Sequence, residues 1–275
     1  MLRVRYKRGF LRVLEVMEYE QMEKATSIDL AFYSKVVYPF EHQNMPLRDR
    51  EGRSQVVVQH CKTLLIDLRE TEEAIFQAIH KNTRYKINRA RKRDLISYYE
   101  VESPTDADLH RFCTFYNSFA KQKKIPPANI DKLQGLRDQQ SIILTYITDE
   151  DDRMLCCHIH YLVKESAVLL YSASGRFDNA EMRNIIGRAN RYLHWRDMLS
   201  FKAKGIDWYN FGGLFVDPSS SETSSINRFK KEFGGIEVNE WKLLHAQSFL
   251  GRLVAFAYRM KICKRPEYVR AKMVF

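Results

Sequence analysis

The sequence predicts an α+β fold with a mixed, mostly antiparallel central sheet flanked by helices. Three observations lead to this prediction. The middle of the chain contains three consecutive runs of β-branched and aliphatic residues, separated by the turn-like segments TDEDD and KES. A long amphipathic segment with helical spacing follows these runs. Strand-like and helix-like segments then alternate to the end of the chain, an order that is typical of α+β proteins.

The first quarter of the chain contains few clear elements. Residues 1–52 mix short apolar runs with the loop-like segment EHQNMPLRDREG, and they predict no defined element. Residues 55–68 are rich in β-branched and aliphatic side chains, which predicts one or two strands. A helix is predicted to begin near Thr71, whose hydroxyl can cap it and whose two following glutamates complement the helix dipole.

The second quarter alternates helix and strand patterns. Apolar residues recur at helical spacing as far as Ala90, so the helix is predicted to continue to that point. Residues 95–101 predict a strand. The Ser-Pro pair at 103–104 predicts the start of a helix that runs to about residue 124, and another short helix is predicted at about 130–139.

The second half of the chain is the clearest. The runs SIILTYI, RMLCCHIHYLV and AVLLYSAS predict an antiparallel meander. A helix is predicted from about Arg183 to Lys204, ended by Gly205. The remaining segments predict the strand DWYNF, the helix INRFKKEF, the strand EVNEWKLL and a final helix from Ser248.

Composition limits the class of protein. With 275 residues, 45% of them hydrophobic, the chain is long enough for a substantial core, and its formal net charge of +11 favours anionic partners. The five cysteines are irregularly spaced, and Cys156 and Cys157 point to opposite faces of a predicted strand, so a reducing cytoplasm is expected. A basic N-terminus without an apolar run, and the lack of a stretch of about 20 apolar residues, predict a soluble or peripheral protein.

The start of the long helix is a candidate phosphate site. A small residue in a first helical turn lets backbone N–H groups approach phosphate oxygens. The pattern Asn184-x-x-Gly187-x-Ala189 resembles the (Gln/Arg)-x-x-Gly-x-(Gly/Ala) pattern of GNAT-fold acyltransferases, although Asn replaces the usual first residue. The resemblance implies that Asn184, Gly187, Arg188 and Ala189 hold the pyrophosphate of acyl-CoA. The alternative is an ordinary helix with a packing glycine.

A second candidate is a basic run without an acidic residue, KNTRYKINRARKR at residues 81–93. At helical spacing Arg84, Asn88 and Arg91 share a face that could present guanidinium groups to a phosphate or carboxylate of a substrate. The alternatives are a solvated helix face or a non-catalytic module that binds nucleic acid, tRNA among them.

A third candidate lies near the C-terminus, in WYNFGG (208–213) and INRFKKEFGG (226–235). These segments resemble the FemAB-like branch of the GNAT superfamily, in which a strand ends in (Asp)-Phe-Gly-Gly and is followed by Phe-Lys-x-x-Phe-Gly. Asn210 stands where the family commonly has Asp. Upstream, residues 63–92 and 190–205 are similar to the family's other elements, so the resemblance covers roughly residues 60 to 245. It implies an N-terminal segment 1–52, a GNAT-like core 53–247 and a basic amphipathic C-terminal helix and tail 248–275.

The resemblance also implies a mechanism. Splayed central strands hold an acyl donor, the amine attacks the carbonyl directly, and no covalent enzyme intermediate forms. Lys230 would face the donor or an acceptor phosphate, and Asn210, Gly212 and Gly213 would contact the substrate. The alternative for Lys230 is a solvent-exposed side chain beside Lys231.

Candidates for proton transfer lie on the predicted meander. His158 and His160 share one face of a strand, and a histidine has a suitable pKa for a base at neutral pH. Tyr171 on the next strand could protonate a leaving group. The alternatives are buried sheet histidines and a packed tyrosine. A zinc site is not expected, because no second ligand pair with the usual spacing is present.

The donor and the acceptor remain open at this stage. Acyl-CoA is the favoured donor, because FemAB-type enzymes that use aminoacyl-tRNA commonly have two GNAT domains and a coiled-coil arm, a layout longer than this chain. The expected acceptor is a small-molecule or lipid-linked amine, such as an amino sugar or amino acid in envelope or polysaccharide synthesis. Patterns of serine hydrolases, P-loop NTPases and EF-hands are not found. The expected location is the cytoplasm, with the C-terminal helix either packed on the domain or bound to the inner face of the membrane.

Overall fold

The computed structural model describes four stretches of the chain, residues 1–39, 56–175, 179–218 and 220–274. They form two compact units, the first made of 1–64, 213–228 and 236–275 and the second made of 65–212 and 229–235. The predicted loop at 41–52 lies outside the described residues, and the boundaries predicted at 52 and 247 stay a prediction. No helix in the described stretches is both long and apolar enough to cross a membrane.

The strands of the first unit come from both ends of the chain. They are β1 (Leu2–Arg8), β2 (Leu11–Met17), β3 (Leu30–Val36), the beginning of β4 (Val56–Asp67) and β10 (Ile236–Ala246). Their order is β1-β2-β3-β10-β4, with β2 and β3 parallel and the β1–β2 and β3–β10 pairs antiparallel. The sequence predicted β4 and β10 but not the three N-terminal strands.

The helices of the first unit are the beginning of α6 (Ser221–Lys231), α7 (Phe249–Ile262) and α8 (Pro266–Val274). Ser248 caps α7, as predicted, because its side chain accepts a hydrogen bond from the Gly251 N–H. The single final helix of the prediction is divided in two, because Pro266 lacks the N–H that a continuing helix needs and instead begins α8.

The second unit contains the predicted meander. Its strands are β5 (Ser97–Val101), β6 (Ile142–Thr148), β7 (Met154–Val163), β8 (Ser166–Ser174) and most of β9 (Trp208–Leu214). Their order is β9-β8-β7-β6-β5. The three pairs between β5 and β8 are antiparallel and the β8–β9 pair is parallel, so the predicted mixed and mostly antiparallel α+β sheet is confirmed.

Five complete helices belong to the second unit, α1 (Glu72–Ala78), α2 (Lys81–Arg93), α3 (Asp106–Lys123), α4 (Ile130–Arg137) and α5 (Ala180–Ala203). The side chains of β7 that face α5 include His158, whereas Tyr171 of β8 packs against Phe112 and Tyr116 of α3. His158 therefore lies on the face of the sheet that packs on α5, and Tyr171 lies on the opposite face, which packs on α3.

Three predicted helix boundaries are wrong. The helix predicted from Thr71 to Ala90 is two helices, because Ile79 has an extended backbone and His80 caps α2. Helix α3 begins after Thr105 rather than Ser103, since Thr105 and Asp108 form a capping box. Helix α5 begins three residues earlier than predicted, capped by the Asn179 side chain.

Candidate active site

The parallel pair β8–β9 is paired over only part of its length. Its partners are Ser166 with Trp208, Ala167 with Tyr209 and Val168 with Asn210, although the strands contain nine and seven residues. Beyond this point the register of β8 against β7 skips Leu170, which forms a bulge. Residues 169–172 of β8 are half-buried even though the strand lies between two others. The β8–β9 pairing therefore ends at Val168 and Asn210, two residues before the bulge.

Asn210 and Gly212 shape the end of β9. Asn210 is buried, and its side-chain oxygen accepts a hydrogen bond of 2.8 Å from the Gly212 N–H. Gly212 has a φ of +72°, and a Cβ there would lie 3.3 Å from the Leu169 carbonyl oxygen. An amide oxygen can accept this bond as a carboxylate oxygen would, so either Asn or Asp at this position could hold the Gly212 N–H. The substrate role of Asn210, Gly212 and Gly213 stays a prediction.

The segment FKKEFGG (229–235) is fixed by Glu232. The carboxylate of Glu232 accepts hydrogen bonds from the Thr83 hydroxyl at 2.8 Å and from the Arg191 guanidinium at 3.1 Å. Its backbone carbonyl accepts a bond of 2.7 Å from the His80 N–H. The Glu232 side chain thus connects the segment to α2 and α5. The Glu232 backbone carbonyl connects the segment to His80, at the break between α1 and α2.

Lys230 lies beside a group of rings on α5 and on its own segment. The guanidinium of Arg191 stacks on the Phe229 ring at 4.8 Å, and the Phe229 ring centroid lies 5.6 Å from that of His194. Burial, then the neighbouring histidines and the charge of Lys230 lower the pKa of His194 well below its usual value. Lys230 itself is half-buried, so it is not the fully exposed lysine of the alternative interpretation.

A buried hydrogen bond connects β7 to α5. The Nδ1 of His158 lies 2.6 Å from an Asp197 carboxylate oxygen, and its Nε2 lies 3.2 Å from the Asn190 side-chain oxygen. The His158 and Asp197 side chains are both 0% exposed, so water does not compete for the bond between them. Burial is the main cause that raises the pKa of Asp197, and the bond to His158 opposes it.

A second buried chain lies next to the first. The Tyr209 hydroxyl lies 3.1 Å from His160 Nε2 and 2.7 Å from His194 Nδ1. Burial lowers the pKa of both histidines well below the usual value, so both are neutral. The tyrosine hydroxyl can therefore donate to one ring and accept from the other.

The predicted direct role of the two strand histidines as bases is not compatible with their position. His158 and His160 are each 0% exposed, so neither can touch the amine of an acceptor. The structure instead gives His158 a charged partner and His160 a hydroxyl partner. Tyr171 is half-buried on the opposite face, where its oxygen accepts a hydrogen bond of 3.4 Å from the Asn129 N–H and its ring packs on Tyr116.

His158, His194 and Asp197 each offer a metal-ligand atom within 4.8 Å of the other two. The His158–Asp197 distance of 2.6 Å is, however, that of a hydrogen bond, whereas two ligands at about 2 Å from one tetrahedral zinc ion lie roughly 3.3 Å apart. The Nδ1 of His194 is also bonded to Tyr209. In this arrangement His158 is hydrogen-bonded to Asp197, and His194 is hydrogen-bonded to Tyr209.

The residues predicted to hold a pyrophosphate lie inside α5. The backbone N–H of Arg183 already bonds to the Asn179 carbonyl, so the amides from residue 183 onward belong to the helix and are not available to a phosphate. Arg188 forms a bidentate pair with Asp94 at 2.6 and 2.7 Å. The pyrophosphate role of Asn184, Gly187, Arg188 and Ala189 stays a prediction, and because α5 starts earlier than its sequence indicated, these residues lie beyond the first turn of the helix.

The basic helix α2 divides between structural and exposed residues. The Arg84 guanidinium donates hydrogen bonds to the backbone carbonyls of Gln77 and Ile79, at the end of α1. Asn88 is half-buried and Arg91 is exposed. Arg91 lines a cavity of about 470 Å³ that is formed with residues of β5 and α5. The shared substrate role of these three residues stays a prediction. In this structure the Arg84 guanidinium binds backbone carbonyls of the protein itself.

Sequence reasoning missed the partners that fix the candidate site. Asp197, His194 and Arg191 lie on one helix, and the i, i+3 spacing of His194 and Asp197 places them on one face, which is the signal that could have been noticed. Glu232 lies inside the recognised segment but between its pattern positions. Tyr209 precedes Asn210 in an otherwise apolar strand segment, so nothing in the sequence indicated that its hydroxyl would bond to two histidines.

The neutral buried histidines give an expected pH dependence. Below about pH 6.5 the unfolded chain protonates His194 and the folded chain does not, so this group lowers the free energy of unfolding as the pH falls. We expect the loss between pH 7.5 and 5.5 to be smaller by about 1.4 kcal/mol in His194→Gln than in the wild type. Urea unfolding at both pH values measures this difference, and identical losses would contradict a neutral buried His194.

Comparisons with known proteins concern the fold. No protein-family model matches the chain, and no curated protein matches it. The crystal structure of FemX matches 92% of this chain and 85% of its own chain, with 11% identity and a TM-score of 0.61. The C-terminal domain of a putative lysylphosphatidylglycerol synthetase from Agrobacterium fabrum matches 85% of this chain and 72% of its own, with 11% identity and a TM-score of 0.50. The chain therefore has the GNAT fold that its motifs predict.

Proposed function

We propose that the chain is an N-acyltransferase that transfers an acyl group from acyl-CoA to the amine of an amino sugar or amino acid in envelope or polysaccharide synthesis. The observation that carries the proposal is the β8–β9 pair, which stops after three residue pairs, two residues before the bulge of Leu170. Neighbouring strands that separate in this way give a donor carbonyl access to backbone N–H groups between them.

The chemistry follows from this geometry. The amine nitrogen attacks the thioester carbonyl, a C–N bond forms, the C–S bond breaks, and the thiolate leaves with a proton. The backbone at the Leu170 bulge supports the developing oxyanion. Tyr171 is the next residue, and its hydroxyl can donate a proton to the thiolate and regain one from the attacking amine nitrogen.

Lys230 is the side chain that we assign to the anionic part of the reactants. It lies half-buried at the edge of the histidine cluster, on a segment that Glu232 fixes to two helices. A positioned ammonium group can bind a donor or acceptor phosphate. The rigid segment reduces the cost of placing that charge when the substrate binds.

Aminoacyl-tRNA is the second candidate donor. The match covers 85% of the FemX chain, so chain length no longer argues against a FemAB-type enzyme that acts on a peptidoglycan precursor. Exposed basic residues at the end of α2, Arg89, Arg91, Lys92 and Arg93, suit a phosphate backbone. Attack of an amine on the aminoacyl ester forms the same amide bond.

Thermal unfolding in the presence of ligands tests the proposal. At 100 times its dissociation constant, a ligand bound only by the folded state adds about 2.7 kcal/mol, which raises the Tm by roughly 5 to 10 °C for a protein of this size. We expect this rise with acetyl-CoA or a longer acyl-CoA. A rise with aminoacyl-tRNA alone, followed by aminoacyl transfer to an amine, would identify the second donor.

Lys230→Ala and its neighbour Lys231→Ala form a matched pair. We expect Lys230→Ala to weaken donor binding or kcat/KM by about tenfold to a hundredfold, the effect of one lost charge-assisted contact, while Lys231→Ala stays near the wild type. Equal effects would contradict the role of Lys230. Salt-dependent nucleic-acid binding without any transfer activity would instead support a binding module.

A further inference from the structure

Helix α7 of the first unit exposes a row of large apolar side chains. Phe249 is 76% exposed, Leu253 54%, Phe256 66% and Met260 61%. Their spacing of four, three and four residues places them within about 60° on one face of the helix, along roughly 16 Å. We call these four residues the apolar stripe. An exposed stripe of this kind marks an interaction surface.

The rotation of α7 is fixed by the opposite face of the helix. Ala255 and Ile262 are buried in the core of the first unit. Gly251 packs on Asp29 so closely that a Cβ at this position would overlap the Asp29 carbonyl oxygen. The cap residue Ser248 donates a hydrogen bond of 2.7 Å to the Asp29 carboxylate. The apolar stripe therefore points away from the core of the first unit, and these four side chains do not pack on it. Packing on the domain was one of the two placements expected from the sequence.

Basic side chains flank the apolar stripe on both sides. Arg252 and Arg259 lie on one side and Lys261 on the other, and Lys264 and Arg265 follow the end of the helix. The sequence from Phe249 to Arg265 contains no acidic residue. An apolar face bordered by cations matches the boundary between the acyl chains and the headgroups of an anionic bilayer.

We infer that α7 docks the protein on the surface of a membrane that contains anionic lipid. The apolar stripe enters the acyl boundary, and the flanking arginine and lysine side chains contact lipid phosphates. Charge disfavours a second copy of this chain as the occupant, because a two-fold contact through the stripe would bring the same cations of both copies together.

Sedimentation of the full chain with vesicles tests this inference. We expect binding to vesicles of equal parts phosphatidylcholine and phosphatidylglycerol, weakened by salt, and little binding to phosphatidylcholine alone. Leu253→Ser with Phe256→Ser should lower the partition coefficient at least tenfold. Arg252→Glu with Lys261→Glu should lower it by about fivefold or more for each removed cation.

Phe10→Ser provides the matched control. Phe10 is 77% exposed in the turn between β1 and β2 of the same unit, so its replacement should leave the partition coefficient unchanged. All of these side chains are exposed, and an unchanged Tm verifies that each variant folds. Equal binding to neutral and anionic vesicles, an equal loss in Phe10→Ser, or no effect of the α7 variants would overturn the inference. A lipid-free dimer that the Leu253→Ser and Phe256→Ser variant dissociates, without vesicle binding, would identify a second copy as the occupant.

Discussion

Gly235→Ala is expected to destabilise the protein by about 4 kcal/mol or more, or to prevent folding, because it adds two separate costs. Gly235 has a φ of +82°, a conformation that a side chain with a Cβ disfavours by about 1 to 2 kcal/mol. The added Cβ would also overlap the Leu65 carbonyl oxygen and lie 2.5 Å from Ile66 Cδ1. Backbone of β4 would have to move to relieve the overlap, so the cost exceeds that of an ordinary strained turn.

Gly187→Ala is the control for this variant. Gly187 lies inside α5, and an added Cβ meets no heavy atom within 4 Å. We expect a gain of about 0.5 to 1 kcal/mol, because alanine favours the helix. Urea unfolding of both variants against the wild type measures the two changes. A loss in Gly187→Ala, or a change below about 1 kcal/mol in Gly235→Ala, would contradict the structure at these positions.

This pair of variants also separates two explanations of the glycines in the family-like motifs. The glycine after Phe233 is explained by close packing, since a Cβ on Gly234 would lie 2.9 Å from the Ala78 carbonyl oxygen. Gly187, the glycine of the predicted phosphate pattern, has open space beside it, and its backbone belongs to helix α5. Gly187→Ala should therefore also leave donor binding unchanged.

Local patterns predicted much of the second unit. The meander followed from alternation and turn residues, and Thr71 caps α1 as predicted because the capping bond is formed within three residues. The approximate position of α5 followed from its helical period. These features depend on contacts that are near in sequence, which explains why the sequence alone was informative.

Features that depend on distant residues were not predictable in this way. The break between α1 and α2 is fixed by His80, whose N–H bonds to the Glu232 carbonyl far along the chain. Strands β1 to β3 obtain their pairing from one another and from β10, so their short apolar runs alone did not identify them. The start of α5 was predicted three residues too late because its cap, Asn179, lies before the periodic pattern, and the phosphate pattern therefore lies beyond the first turn of the helix.

The partner of His158 is another such feature. The strand pattern identified two histidines on one face, but Asp197, the hydrogen-bond partner of His158, lies 39 residues away on a helix. The two elements meet only in the folded chain. The candidate site was therefore identified by its strand residues and not by the network that holds them.

Asp197→Ala is expected to lower the free energy of unfolding by about 3 to 5 kcal/mol, because it leaves the buried His158 without its charged partner. Both side chains are 0% exposed, so water cannot replace the lost carboxylate. Urea unfolding at pH 7.5 measures the change. Asp151→Ala is the matched control, since Asp151 is a highly exposed aspartate paired with Arg153, and its removal should change stability little.

Combining Asp197→Ala with His158→Phe isolates the pair itself. Phenylalanine has nearly the shape of histidine but needs neither the proton nor the carboxylate, so the double variant should lose at least 2 kcal/mol less than the sum of the two single variants. Additive losses would mean that His158 and Asp197 do not interact in the folded protein. Coupling of the expected size would instead show that their buried hydrogen bond, formed between β7 and α5, holds the helix that carries Arg191 against the sheet, and with it the segment of Lys230.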